Sequence, residues 1–159
     1  MRPTKLEDID MNFNDYEVGL ERYIRTIWDL HMYRHHVLRA NLPDSLILKI
    51  NQINESMGIA VEVIDLDEHK DTFRSSVDLN KSIAENNYPK WIWFYGIVAL
   101  KDSNFSGWLR SKLTVRTIEN LRVIFVAESC SDYQDIFCDS REPFYKSTIL
   151  FRANNGDQT

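Results

Sequence analysis

Carboxylates stand just past three hydrophobic stretches that read as β-strands. Asp65 and Asp67 stand at the end of Ile59–Leu66, Asp102 sits beside Lys101 after Trp91–Leu100, and Glu128 leads to Asp132 after Leu121–Ala127. An open parallel sheet binds its ligands outside the carboxyl ends of its strands, so these residues share the rim where chemistry would occur. Gathered there, Asp65, Asp67, Asp102 and Glu128 would hold a hard divalent cation such as Mg²⁺, which wants oxygen ligands, or set a nucleophilic carboxylate beside a general acid. The same residue types are also what strand-to-helix loops select as helix caps. Capping is the commoner use.

A second set of chemical side chains lies upstream. Arg22–Arg39 carries four arginines and three of the four histidines against one aspartate. On a continuous helix, Arg22, Arg25, His36 and Arg39 share a solvated basic face, whereas His31 and Arg34 fall on or beside the apolar stripe. Three outcomes satisfy that pattern: the helix breaks near Met32, the two side chains pair with buried carboxylates, or they line a contact surface. A third set combines Asp132, Asp135 and Asp139 with Tyr133, Phe144 and Tyr145, which look exposed. Acidic residues interleaved with aromatics suit a surface that captures a basic protein, and also a plain solvated loop pinned by aromatic anchors.

Positioning these groups falls to a chain of 159 residues with 43% hydrophobic and 27% charged content, which fits one globular domain. Trp91–Leu100 (WIWFYGIVAL) is uncharged, lacks polar alternation and is too short to span a bilayer, which needs about 20 residues. It predicts a buried central strand covered on both faces. A helix is expected from Asn14, capped with Glu17, with Tyr16, Leu20, Tyr23, Ile24, Ile27 and Leu30 in one stripe. Leu42–Pro43–Asp44 ends it, and Ser45–Met57 follows as a second helix closed by Gly58. Beyond Gly58 the rhythm is βαβαβαβ: Ile59–Leu66, a helix over 71–86, Trp91–Leu100, a helix from Ser103, Leu121–Ala127, a short helix over 132–137, and Thr148–Phe151. The expected fold is α/β. It comprises a loose arm over 1–13, a helical hairpin over 14–57, and a three-layer βα unit over 58–152 with a mostly parallel four-stranded sheet. A disordered tail over 153–159 completes it.

Several function classes lose their support on composition. The formal charge of −5 argues against a general nucleic-acid binder. The opening MRPTKLEDID lacks an apolar signal core, so a cytoplasmic location is expected. Cys130 and Cys138 lack metal-ligand or disulfide-framework spacing. With five glycines and neither GxGxxG nor GxxxxGK[ST], the usual phosphate-cradling loops cannot be built. Ser129 and Ser131 lie in AESCSDY, which has no nucleophile-elbow glycines and no histidine after it.

Two short resemblances remain. VEVIDLD, residues 61–67, resembles the first motif of the haloacid-dehalogenase-like phosphotransferases. That resemblance implies Asp65 as the nucleophile, Asp67 as the proton-handling group, Ser103 and Lys112 as partners, and Mg²⁺ as cofactor. The family's later acidic pair is here Ala127–Glu128–Ser129. Arg25 and His31 resemble the R-x4–6-H spacing of all-helical ribonucleases, implying phosphodiester chemistry at those two residues. Neither motif extends over the chain. The leading expectation is therefore a non-catalytic acidic protein without a cofactor that binds a basic protein partner, as a neutraliser of a basic toxin or a modulator of a larger complex. The alternative is a metal-dependent phosphotransferase or nuclease using Asp65, Asp67, Asp102 and Glu128.

Overall fold

The computed structural model describes residues 16–84, 87–114 and 119–152. The expected arm 1–13, the cap at Asn14 and the tail 153–159 lie outside them. The described residues form an α/β fold with five parallel strands, β1 Arg34–Leu38, β2 Ala60–Asp65, β3 Lys90–Tyr95, β4 Leu121–Ala127 and β5 Ile149–Leu150. Five helices accompany them: α1 Tyr16–Asp29, α2 Asp44–Ser56, α3 Val77–Ile83, α4 Ser103–Leu113 and α5 Cys130–Phe137. The strand order is β2-β3-β4-β1-β5. No helix among the described residues is long and apolar enough to cross a membrane.

The four-stranded expectation is corrected by β1. Periodicity carried the first helix through to Leu42, but α1 ends at Asp29. His31 takes a left-handed φ of 56°, Met32 N–H returns to the Ile27 carbonyl at 3.0 Å and His31 N–H to that of Trp28 at 3.4 Å. That is a Schellman closure with histidine in the position glycine usually fills. Of the three outcomes open for His31 and Arg34, the helix break occurs. The chain then re-enters as β1 between β4 and β5, so the expected hairpin is two helices separated by a strand.

Alternation along β1 explains its mixed composition. His35 and Val37 are buried on one face with α1 and α2. Leu38 packs on the other, where α3, α4 and α5 lie. Arg34 and His36 share that second face, finding partners in the chain far ahead: Arg34 donates to the Ser147 carbonyl at 2.7 Å and the Leu113 carbonyl at 3.2 Å, and His36 Nδ1 bonds Thr148 Oγ1 at 2.9 Å.

The Trp91 strand is interior but not central. It lies between β2 and β4, and the middle position belongs to β4, whose seven residues are all buried. Nor is the apolar decapeptide one strand. Gly96, at φ 62°, turns it into a 3-10 turn over Ile97–Lys101, whose Ile97, Ala99 and Leu100 are core. A Cβ at residue 96 would stand 1.9 Å from Asp65 Oδ1, so only glycine fits. The helix expected over 71–86 shrinks to α3, capped by Ser76 accepting from Leu79 N–H.

On the α1–α2 face, Trp91 and Trp93 are fully buried around Phe151, each contributing on the order of 2–3 kcal/mol by removal from water. Trp91 Nε1–H has no partner among the described residues, but the indoles of Trp93 and Trp28 explain two polar residues of α2. Asn51 accepts Trp93 Nε1–H at 2.7 Å, and the buried Asn54 accepts Trp28 Nε1–H at 3.1 Å.

Candidate functional site

The strand-end carboxylates are occupied by local work. Asp65 accepts from Asp67 N–H at 3.0 Å and caps the short turn Leu66–Glu68. Asp102 accepts from Asn104 N–H at 3.0 Å and Phe105 N–H at 3.2 Å, capping α4. Ser129 caps α5 by accepting from Asp132 N–H at 3.1 Å, while Glu128 stands exposed at the end of β4. Among the described residues, no three or more His, Cys, Asp or Glu side chains gather in a way that would hold a metal ion. Ser103 opens α4 and Lys112 lies near its far end, where its ammonium sits 5.8 Å from the Trp108 ring centre. Nine residues of helix place the two about 13 Å apart along the axis. Two of the residues implied by the VEVIDLD resemblance, Ser103 and Lys112, thus stand at opposite ends of one helix.

Strand order puts the topological switch point between β1 and β4, the usual ligand crevice of such sheets. The segment from Leu38 to Asp44 contains no glycine. Arg39 donates to the Leu42 carbonyl and pairs with Asp44, the acidic residue in the first turn of α2. That carboxylate already complements the helix N-terminus and repels an incoming phosphate. Tyr95 is half-buried nearby, its phenol pKa raised chiefly by burial and further by Glu128 and Asp44, against the lowering field of Arg39.

The basic segment is dispersed. Arg22 and Arg25 are exposed on α1, and Arg25 pairs with Glu21 at 2.9 Å. His31 is the exposed closing residue of that helix. Arg34 lies across the sheet from α1, and the ring of His36 stacks on Phe137 with centroids 4.9 Å apart. His31 and Arg34 both lie against the Tyr33 ring, 5.9 Å between the His31 and Tyr33 centroids and 5.7 Å from Arg34 Cζ to the ring centre, while Arg34 is committed to the Ser147 and Leu113 carbonyls and Arg25 to Glu21.

The acidic segment is largely matched by the chain itself. Lys101 holds Asp132 at 2.6 Å and Asp135 at 3.4 Å; the hydrogen bond to Asp132 raises the lysine pKa and lowers that of the carboxylate. Both carboxylate oxygens of Asp139 accept from one edge of the Arg141 guanidinium, Nε–H and Nη2–H, which lowers the aspartate pKa to about 2. Tyr133 is half-buried beside His36 and Phe137. Tyr145 is exposed, but Phe144, expected at the surface, is 0% exposed and packs on Phe125. Its burial follows from the hydrophobic cluster already formed by β4 and α5.

A different acidic feature escaped sequence reasoning. Between the outer edge of β2 and α3 runs an open groove of about 340 Å³. Glu62, Asp65, Glu68 and Asp78 line it, and no lysine or arginine does. Glu62 reaches Lys90 at 2.9 Å. Glu68 and Asp78 have no ion pair among the described residues. The only sequence signal was the recurrence of acidic residues over 62–78, which acquires meaning once β2 is known to be an edge. Comparison with known protein families, with functionally characterised proteins and with solved structures gives no match.

Proposed function

We propose that this chain is a non-catalytic protein that works by binding a basic protein partner, as a neutraliser or as a modulator of a larger assembly. One observation carries the reading: the groove beside β2 is lined by carboxylates and no lysine or arginine, and two of them, Glu68 and Asp78, have no ion pair among the described residues, so an incoming cation would find a negative field there. By contrast, Asp102 is engaged as a cap, and the carboxylates around α5 are matched by Lys101 and Arg141.

The test is titration of fluorescein-labelled heptapeptides followed by anisotropy, one alternating lysine and valine, the other alternating glutamate and valine. The lysine peptide should bind alone, and its affinity should fall between about 0.1 and 1 M salt, as the screening length shrinks from about 10 to 3 Å. Glu68→Lys with Asp78→Lys, both exposed positions, should abolish the preference. Equal binding of the two peptides, or indifference to the double reversal, would refute the reading.

A further inference from the structure

Native sheets protect their edges with short strands, prolines, lysines, bulges or a covering element. The two edges here are treated unequally. β5 is two residues long, whereas β2 pairs with β3 without interruption over six residues, Ala60 to Asp65, and carries neither proline nor lysine. Among the described residues nothing pairs with its outer side.

The ladder fixes which groups that outer side presents. Ala60 donates to the Pro89 carbonyl. In a parallel ladder alternate residues turn their N–H and C=O to the same neighbour. Ala60, Glu62 and Ile64 therefore bond β3, while Val61, Val63 and Asp65 turn theirs outward. Val63 is 65% exposed. The two flanks of this edge differ in chemistry. On the α3 side stands the groove with Glu62, Glu68 and Asp78, which Val63 and Asp65 also border; strand alternation turns the side chains of Val61 and Val63 towards the α2 side, Val61 packing on the apolar cluster there.

We propose that β2 is a docking edge for an extended basic segment of a partner protein, which adds to the sheet as a sixth strand with alternate basic side chains in the acidic groove and apolar ones over Val61 and Val63. This rests on the basic-partner reading above and specifies its mode. Main-chain bonds to Val61, Val63 and Asp65 supply a sequence-independent grip, and the alternating flanks supply selectivity. Pairing of two copies through β2 is disfavoured by the same groove, since it would bring like-charged carboxylates together.

The test uses the full chain and the lysine–valine heptapeptide in three forms: unmodified, N-methylated on its odd residues, and N-methylated on its even residues. An added strand offers only one alternate set of N–H groups to β2. One methylated form should therefore lose at least about tenfold in affinity while the other binds like the parent. Val63→Pro, which removes an outward N–H but no internal ladder bond, should weaken the parent peptide similarly. If that variant misfolds by circular dichroism, the methylation arms still decide. Equal binding of both methylated forms would overturn strand addition and leave the basic-partner reading standing. No binding by the parent peptide would overturn both, and a salt-resistant dimer of the free chain in sedimentation would show that the edge belongs to a second copy.

Discussion

Arg122 gives the sharpest stability prediction. It sits in the middle strand, is 2% exposed, and has no carboxylate hydrogen-bond partner among the described residues. Its guanidinium instead donates to the carbonyls of Ile27 at 3.2 Å, Trp28 at 3.1 Å, Glu119 at 2.6 Å and Leu121 at 3.1 Å. It also lies 4.4 Å from the Trp28 ring centre and 4.6 Å from that of Tyr33. Two of those carbonyls belong to the last turn of α1, where unsatisfied acceptors and the negative end of the dipole collect. Arg122→Met fills similar space but takes this donor from the Glu119 and Leu121 carbonyls, at roughly 1–3 kcal/mol for each one that water cannot reach, leaves the Ile27 and Trp28 carbonyls only their Met32 and His31 N–H donors, and removes the ring contacts, worth about 1–2 kcal/mol together. Against this, burial of the guanidinium lowers its pKa to about 10, so removing the charge returns roughly 3 kcal/mol. The net expectation is a loss of about 2–4 kcal/mol. Arg122→Lys should do no better, because one ammonium cannot reproduce the fork. Urea unfolding measures the loss, and hydrogen exchange should accelerate first at the amides of Leu30 to Met32. A loss below about 1 kcal/mol, or unchanged exchange at those amides, would refute the role assigned to this arginine.

Two other perturbations follow from the same region. His31→Gly should stabilise the fold by about 0.5–1 kcal/mol, because a left-handed residue without a Cβ is relieved of more strain than it loses in unfolded-chain entropy; a melting temperature about 1–4 °C higher is expected, and a lower one would contradict the closure described. His35 is fully buried, neither ring nitrogen has a partner among the described residues, and burial with neighbouring cations lowers its pKa to about 3, while burial lowers His36 to about 4. Both lie below the free value of about 6.5. Between those limits the unfolded chain binds more protons, so stability falls as pH drops from 6.5 towards 3, by about 3 kcal/mol at pH 4 for His35 alone. His35→Phe should keep the edge-on contact with Phe151 and remove that share of the acid loss in chemical denaturation at pH 7 and pH 4; an unchanged acid loss would contradict it.

What could be read from the residues was what local pattern encodes. The runs expected as strands over 59–66 and 121–127 are strands over 60–65 and 121–127, and Gly58 closes α2 at φ 80°. What could not be read depends on partners far along the chain. Arg34-His35-His36 looked like one end of a basic helix because Ser147, Thr148 and Leu113, which make a strand of it, are 79 or more residues away. Trp91–Leu100 read as one strand because its hydrophobicity is continuous; its bend depends on Asp65 Oδ1 filling the space beside Gly96. Phe144 read as exposed because its neighbours in sequence are polar, whereas its neighbours in space are aromatic. The candidate site suffered most. Glu62, Glu68 and Asp78 are ordinary surface residues until strand order makes β2 an edge, and strand order is a property of the whole sheet.

The most direct measurement is amide hydrogen exchange of the full chain with and without saturating lysine–valine peptide. The outward amides of Val61, Val63 and Asp65 should exchange freely in the isolated protein and slow by at least about tenfold in the complex, with the α5 segment 130–145 unchanged. Protection that appears over 130–145 instead, or a bound peptide that leaves Val61, Val63 and Asp65 unprotected, would contradict the account.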